Sequence, residues 1–261
     1  MTDSQPPAEG PPGEEVPGRA VIRVGGADRE TFLQGLVSND VHRLKQGMVY
    51  AALLTAQGKY LADFFLVPAD DAILIDVAAP LADGLMKRLG LYRLRAAVTI
   101  EATALHVRRG TGPAPAGGFA DPRDPALGWR AIGPEPGSAP SDRWDALRVA
   151  HLIPETLIEL IPDETYILEA GFERLHGVDF RKGCYVGQEV TARMKHKTDL
   201  RKGLALVSIS GAAEPGTPIT AEGKEAGTLF TRAGDLALAH LRFDRAEGPM
   251  RAGSAEVRRV Q

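Results

Sequence analysis

The chain has 261 residues, 44% of them hydrophobic and 25% charged, with a formal net charge of -3. Those proportions exclude fibrous, collagen-like and wholly disordered chains. With 31 Lys+Arg against 34 Asp+Glu, global electrostatics favour neither nucleic acid nor an anionic membrane. At about 150 residues per domain the length predicts more than one domain. No apolar run reaches the ~18 residues that a membrane span requires.

Met1 to Gly18 holds five prolines and three glycines, with acids and no Lys or Arg, and reads as a disordered tail rather than a signal or transit peptide. Ala20 to Val24 is strand-like and ends at Gly25-Gly26, after which Asp28 can cap a helix bearing Phe32, Leu33, Leu36 and Val37 on one face. Val49 to Leu54 and Tyr60 to Leu66 flank a Gly-containing turn and predict an antiparallel hairpin, with a third strand at Ala72 to Val77. Leu81, Leu85 and Leu89 mark a helix closing near Gly90, and Ala97 to Glu101 returns to a strand pattern. Hairpins with helices between them predict an α+β architecture.

Gly110 to Ser141 contains seven glycines and seven prolines, which predicts an extended surface connection. Helical patterning resumes at Asp142 and again around Leu168, Phe172 and Leu175. After Lys202, short alternating segments separated by Gly, Pro and charged turns have the spacing of a small β-barrel or sandwich. The predicted organisation is a tail over 1–18, an α+β region over 19–200 and a C-terminal β domain over 201–261.

Cys184 lies between Gly183 and Gly187, directly before a segment, Gln188 to Lys195, able to form a helix. Both glycines permit positive φ, and a helix starting near Gln188 would aim its free N–H groups back toward the thiol. With Arg181 and Lys182 adjacent, this placement favours a thiolate suited to nucleophilic or redox chemistry. The competing account is a small buried cysteine. Gly25-Gly26 lacks the spacing of a dinucleotide or phosphate loop, and no histidine pair has ligand spacing with Cys184, so neither such a cofactor site nor a metal site is expected.

Arg181 to Lys202 carries seven Lys/Arg against two acids. A carboxylate-rich ligand tail, RNA phosphates or plain solvation would each suit such a run, and only Tyr185 offers a stacking surface for RNA. Asp63 shares a strand face with Leu61 and Phe65, so it is either a desolvated carboxylate or a solvated edge residue. Asn39 either lines a pocket or terminates the first helix.

The octapeptide K-G-C-Y-V-G-Q-E, together with F-L-Q-G-L-V-S-N-D-V, A-A-L-L-T-A-Q-G-K-Y-L-A-D-F and L-G-L-Y-R-L-R in the same order, closely resembles the YgfZ family over residues 20 to 242. That family comprises folate-binding relatives of the glycine-cleavage T-protein that support iron–sulfur enzymes. The resemblance implies two interleaved α+β parts around a central opening, followed by a β-barrel. It also implies a tetrahydrofolate ligand and iron–sulfur client enzymes or assembly proteins as partners. Cys184 becomes the functional thiol. Asp63 and Glu169 would approach the pterin, with Asn39, Arg181, Lys182, Tyr185, Gln188 and Arg193 lining the folate site.

T-proteins carry paired aspartates where this chain has Ala62-Asp63, which weighs against a true aminomethyltransferase and favours an accessory protein supporting assembly or repair of [4Fe–4S] clusters. The alternatives are a folate-dependent one-carbon transferase and an RNA-binding module. A cytoplasmic location is expected, because Met1 to Gly18 lacks a targeting pattern and the single thiol fits a reducing compartment.

Overall fold

The computed structural model describes residues 12–196 and 200–260. In chain order the elements are β1 (Glu14–Glu15), β2 (Arg19–Gly25), α1 (Arg29–Gln34), β3 (Val49–Leu54), β4 (Tyr60–Pro68), β5 (Ala72–Ala78), α2 (Ala79–Arg93), β6 (Thr99–Ala102), β7 (His106–Gly110), β8 (Gly118–Ala120), β9 (Trp129–Gly133), α3 (Arg143–Ala150) and α4 (Gln188–His196). The C-terminal strands are β10 (Lys202–Ser210), β11 (Pro218–Ala221), β12 (Lys224–Ala233), β13 (Leu236–Arg242), β14 (Met250–Ala252) and β15 (Ala255–Arg259).

The strands form a five-stranded sheet ordered β3-β4-β5-β2-β6, a four-stranded sheet ordered β1-β7-β9-β8, and a closed barrel of β10 to β15. The expected α+β class with a C-terminal barrel is therefore present. In β3, Val49, Ala51 and Leu53 join one apolar cluster with α1 and α2, while Tyr50, Ala52 and Leu54 join a second with Phe172, Leu175 and Tyr185. The period-two alternation of a strand thus feeds two cores, because both faces of this sheet are covered. A third cluster, including Val207, Ile219, Leu229 and Val257, fills the barrel.

Several sequence expectations need correction. Residues 14–18 are not a loose tail: β1 pairs with β7, and the Glu14 carboxylate accepts from the Trp144 indole at 2.5 Å and from the Ser141 backbone N–H at 3.1 Å. Hydrogen bonds together with burial of Val16 against Val21 and Val107 order this segment, which composition does not register; residues 1–11 lie outside the described residues. The stretch 110–141 is not a surface connection either, since it contributes β8 and β9, with Leu127, Trp129 and Ala131 buried. Its glycines and prolines crowd into turns, as at Gly128 (φ +65), where a Cβ would lie 2.1 Å from the Gly110 carbonyl oxygen. The segment around Leu168 forms successive turns instead of a helix. The Asp28 carboxylate accepts from the Ala97 N–H at 2.8 Å rather than capping α1, and α2 runs through Gly90 to Arg93.

Candidate functional site

The segment carrying Cys184 is built by its neighbours. Asp179, buried, accepts from the backbone N–H groups of Arg181 at 2.7 Å and Lys182 at 3.3 Å, and its other oxygen meets the Arg43 guanidinium at 2.5 Å. This local turn starts the loop. Lys182 then plunges inward, where its ammonium donates to the carbonyls of Gln34 at 2.8 Å, Val37 at 2.5 Å and Asn39 at 2.9 Å. All three donors are used. Burial pushes the Lys182 pKa down to about 8, partly offset by Asp40 and Asp179.

On the far side, Gly187 has φ +82, and a Cβ there would lie 2.5 Å from the Thr55 carbonyl oxygen. Tyr185 is buried, which pushes its phenol up to about 12, and its backbone N–H donates to the Gln188 side-chain oxygen at 3.3 Å at the entry to α4. Between these fixed points Cys184 is exposed. A buried structural cysteine is thereby excluded. The expected helix after the thiol is present as α4, but of the two flanking glycines only Gly187 uses positive φ, and Gly183 faces open space.

The other residues named from the sequence do not gather around one ligand. Asn39 is buried, with its amide donating to the Tyr50 carbonyl at 2.8 Å and the His176 carbonyl at 2.7 Å and its oxygen accepting from the Asp40 N–H. It neither ends α1, which stops at Gln34, nor keeps a donor free. Lys182 is spent on the loop itself, which corrects its expected contact with a folate tail, and the Gln188 side-chain oxygen is engaged there too. Glu169 sits against the barrel, 3.6 Å from the Lys202 ammonium and 3.5 Å from the His240 ring. Arg181 and Arg193 are exposed. The cationic run is not one anion-binding face: Lys182 is buried, Lys195 pairs with Glu173 and Lys202 with Glu169, and Lys197 and Asp199 lie outside the described residues.

Asp63 is the desolvated carboxylate of the two alternatives, 4% exposed. It accepts from three hydroxyls: Tyr50 at 3.0 Å, Tyr60 at 2.7 Å and Thr156 at 2.6 Å. Burial and the adjacent carboxylate hold both tyrosine hydroxyls above their usual range, so they remain donors. Beside them, the guanidinium of Arg123 lies 4.7 Å from the Phe65 ring centre, and that of Arg130 lies 4.2 Å from it. Three of about four lone-pair positions of the Asp63 carboxylate are thus in use, and the Phe65 ring beside it is covered by arginine planes.

An unanticipated feature lies further out. Asp76, 1% exposed, holds Arg19 at 2.5 Å and Arg130 at 2.9 Å, while Asp121 holds Arg123 at 2.8 Å and Arg130 at 3.2 Å. This buried ladder floors a cavity of about 390 Å³ lined by Arg19, Arg109, Arg130, Trp144, Arg148 and Glu155, among others. Arginines inside the short strands H-V-R-R-G and W-R-A-I-G, and an aspartate inside I-L-I-D-V-A, were the available signal for it. Among the described residues no cluster of His, Cys, Asp and Glu could hold a metal ion, and no helix is long and apolar enough to cross a membrane.

Comparison with known proteins adds the following. Residues 201–261 match the family of the CAF17 C-terminal beta-barrel domain. Over 290 residues the chain is 31% identical to the mitochondrial iron-sulfur cluster assembly factor IBA57 of Homo sapiens, covering 93% of this chain and 81% of that protein. The Mus musculus counterpart is 29% identical with the same coverage, and the homologue of Mycosarcoma maydis is 33% identical over 77% of this chain and 58% of its own length. In structure, the chain superposes on the glycine cleavage system aminomethyltransferase T of Bartonella henselae with a TM-score of 0.73 at 14% identity, covering 93% of this chain and 83% of that one. These relatives are mitochondrial by name, which overturns the cytoplasmic expectation. That expectation rested on the composition of Met1 to Gly18 and on the single thiol, neither of which separates one reducing compartment from another.

Proposed function

This chain belongs to the YgfZ/IBA57 family of iron–sulfur cluster assembly factors, and from that premise we propose that it acts in iron–sulfur cluster assembly through Cys184. The observation that carries the proposal is the loop itself: an exposed thiol held by Asp179, Lys182 and Gly187. A cluster takes about four thiolates, so the chain's only cysteine supplies one ligand and the partner supplies the others. An exposed site suits transient contact with an assembly protein or a client enzyme, including those with [4Fe–4S] clusters. Pre-ordering of the loop lowers the entropy lost on docking.

Tetrahydrofolate is the second part of the proposal, supported by the aminomethyltransferase-like fold and by the cavity beside β7 and α3. Asp63 is engaged by three hydroxyls, and no aminomethyl transfer through that carboxylate is derived. Two experiments separate the parts. In cells lacking the protein, Cys184→Ser should fail to restore activity of a [4Fe–4S] enzyme while accumulating to wild-type level; full rescue overturns the role of the thiol. Anaerobic calorimetric titration with tetrahydrofolate should show saturable one-to-one binding, and absence of heat overturns the folate part alone.

A further inference from the structure

Two half-buried charged groups on the cavity wall have no hydrogen-bond or ion-pair partner among the described residues. Arg19 and Arg130 are taken by Asp76 and Asp121, and Arg148 by Asp145, Glu159 and the Thr231 hydroxyl. Arg109 has no carboxylate partner and no side-chain hydrogen bond among the described residues; its buried Nε is an orphaned donor, and its guanidinium lies 4.2 Å from the Trp144 ring centre. The Glu155 carboxylate likewise accepts nothing among the described residues, although the Glu155 backbone N–H is tied to Glu159 at 2.9 Å. Both side chains line the same cavity without forming a salt bridge to each other.

Leaving a buried donor unmet costs about 1–3 kcal/mol, and unmet groups of this kind gather where a ligand completes them. Of the remaining carboxylates around the cavity, Asp145 lies in α3 and is engaged with Arg148 at 2.8 Å, while Asp142, directly before α3, is exposed and has no partner among the described residues. Among the half-buried groups of the wall this leaves one cation, Arg109, and one anion, Glu155, each in the other's field but not joined by a salt bridge. A simple anion would satisfy Arg109 and be repelled by Glu155, and a simple cation would do the reverse.

We propose that this cavity binds a small amphoteric ligand, a free α-amino acid, with its carboxylate on Arg109 and its ammonium on Glu155. Trp144, its indole N–H held by Glu14 at 2.5 Å, walls the site, and its neighbours Pro140 and Val16 leave room for an uncharged side chain. The cavity volume of about 390 Å³ accommodates a ligand of this size. The same cavity supports the tetrahydrofolate reading, so the two ligands compete for one site, and tetrahydrofolate is included in the test.

The test is a thermal-shift screen of the full-length protein against the proteinogenic amino acids, with acetate, methylammonium and tetrahydrofolate alongside, followed by titration of any ligand that stabilises it. At least one amino acid should raise the melting temperature and bind saturably, acetate and methylammonium should not, and Arg109→Met and Glu155→Gln should each weaken binding tenfold or more. The melting temperatures of the two ligand-free variants report their folding directly. No stabilising amino acid, stabilisation by tetrahydrofolate alone, or equal binding by both folded variants would each overturn the proposal.

Discussion

Gly187 of the thiol loop and Gly58 of the β3–β4 turn are packed face to face: a Cβ on Gly187 would lie 3.1 Å from the Gly58 Cα, and a Cβ on Gly58 would lie 3.3 Å from the Gly187 carbonyl oxygen. Both have positive φ, +82 and +75. The signature loop and the hairpin turn are therefore fitted to each other by the absence of side chains.

Gly187→Ala should destabilise the protein by about 2 kcal/mol or more, since it adds a clash with the Thr55 carbonyl to a left-handed backbone strain of order 1 kcal/mol. Gly183→Ala, where a Cβ meets nothing, should cost well under that. Urea denaturation of the two variants checks the contrast. Equal losses would mean that the loop is not seated on the hairpin turn.

Lys182→Met should cost about 2–4 kcal/mol, because three inward carbonyls lose their donor. The pH dependence has a definite sign. With its pKa near 8 in the folded state and near ~10.4 unfolded, Lys182 binds more proton in the unfolded chain between those values. Its contribution to stability therefore rises with pH from about 8 to ~10.4 and is flat below 8. Subtracting the pH–stability curve of Lys182→Met from that of the wild type should expose this slope.

Asp63→Asn should lower stability by about 1–3 kcal/mol, because an amide offers one acceptor atom where three hydroxyls now share two carboxylate oxygens. The urea midpoint reads this directly. An unchanged midpoint would free Asp63 for ligand contact.

Asp76→Asn should cost about 3–5 kcal/mol by leaving Arg19 and Arg130 buried against a neutral group. Adding Arg130→Met to it should cost less than the two single losses combined, since the second change removes one stranded charge. Additive losses in a double-mutant cycle would show that the ladder is not coupled.

What could be read in advance follows physical lines. β2 to β5 and the barrel strands announce themselves through alternation, and β3 shows its double burial because every position in V-Y-A-A-L-L is apolar or aromatic. β8 and β9 escaped because W-R-A-I-G is brief, carries an arginine and is embedded in turn residues, so local composition outweighed the pairing that tertiary structure supplies. The helix that follows Cys184 was legible from the flanking motif, whereas the exposure of the thiol was one of two open alternatives. Lys182 was misread because a lysine beside a thiol suggests a surface cation, and its true environment comes from carbonyls more than 140 positions away in the chain. Arg109 and Glu155 were invisible, since an unpaired charge is defined only once every other charge has found its partner.

The segment that Lys182 fastens, Val37 to Asn39, also runs along the outer side of β3: Ser38 exchanges hydrogen bonds with Ala52, Asn39 donates to the Tyr50 carbonyl, and Val37 bridges to Leu53. β3 is the terminal strand of its sheet and is wholly buried, so without this cover it would present a continuous apolar edge to other chains. The same lysine that holds the thiol loop thus guards against intermolecular strand addition. Loss of Lys182 or Asp179 would then show first as aggregation during expression, before any defect in chemistry could be measured.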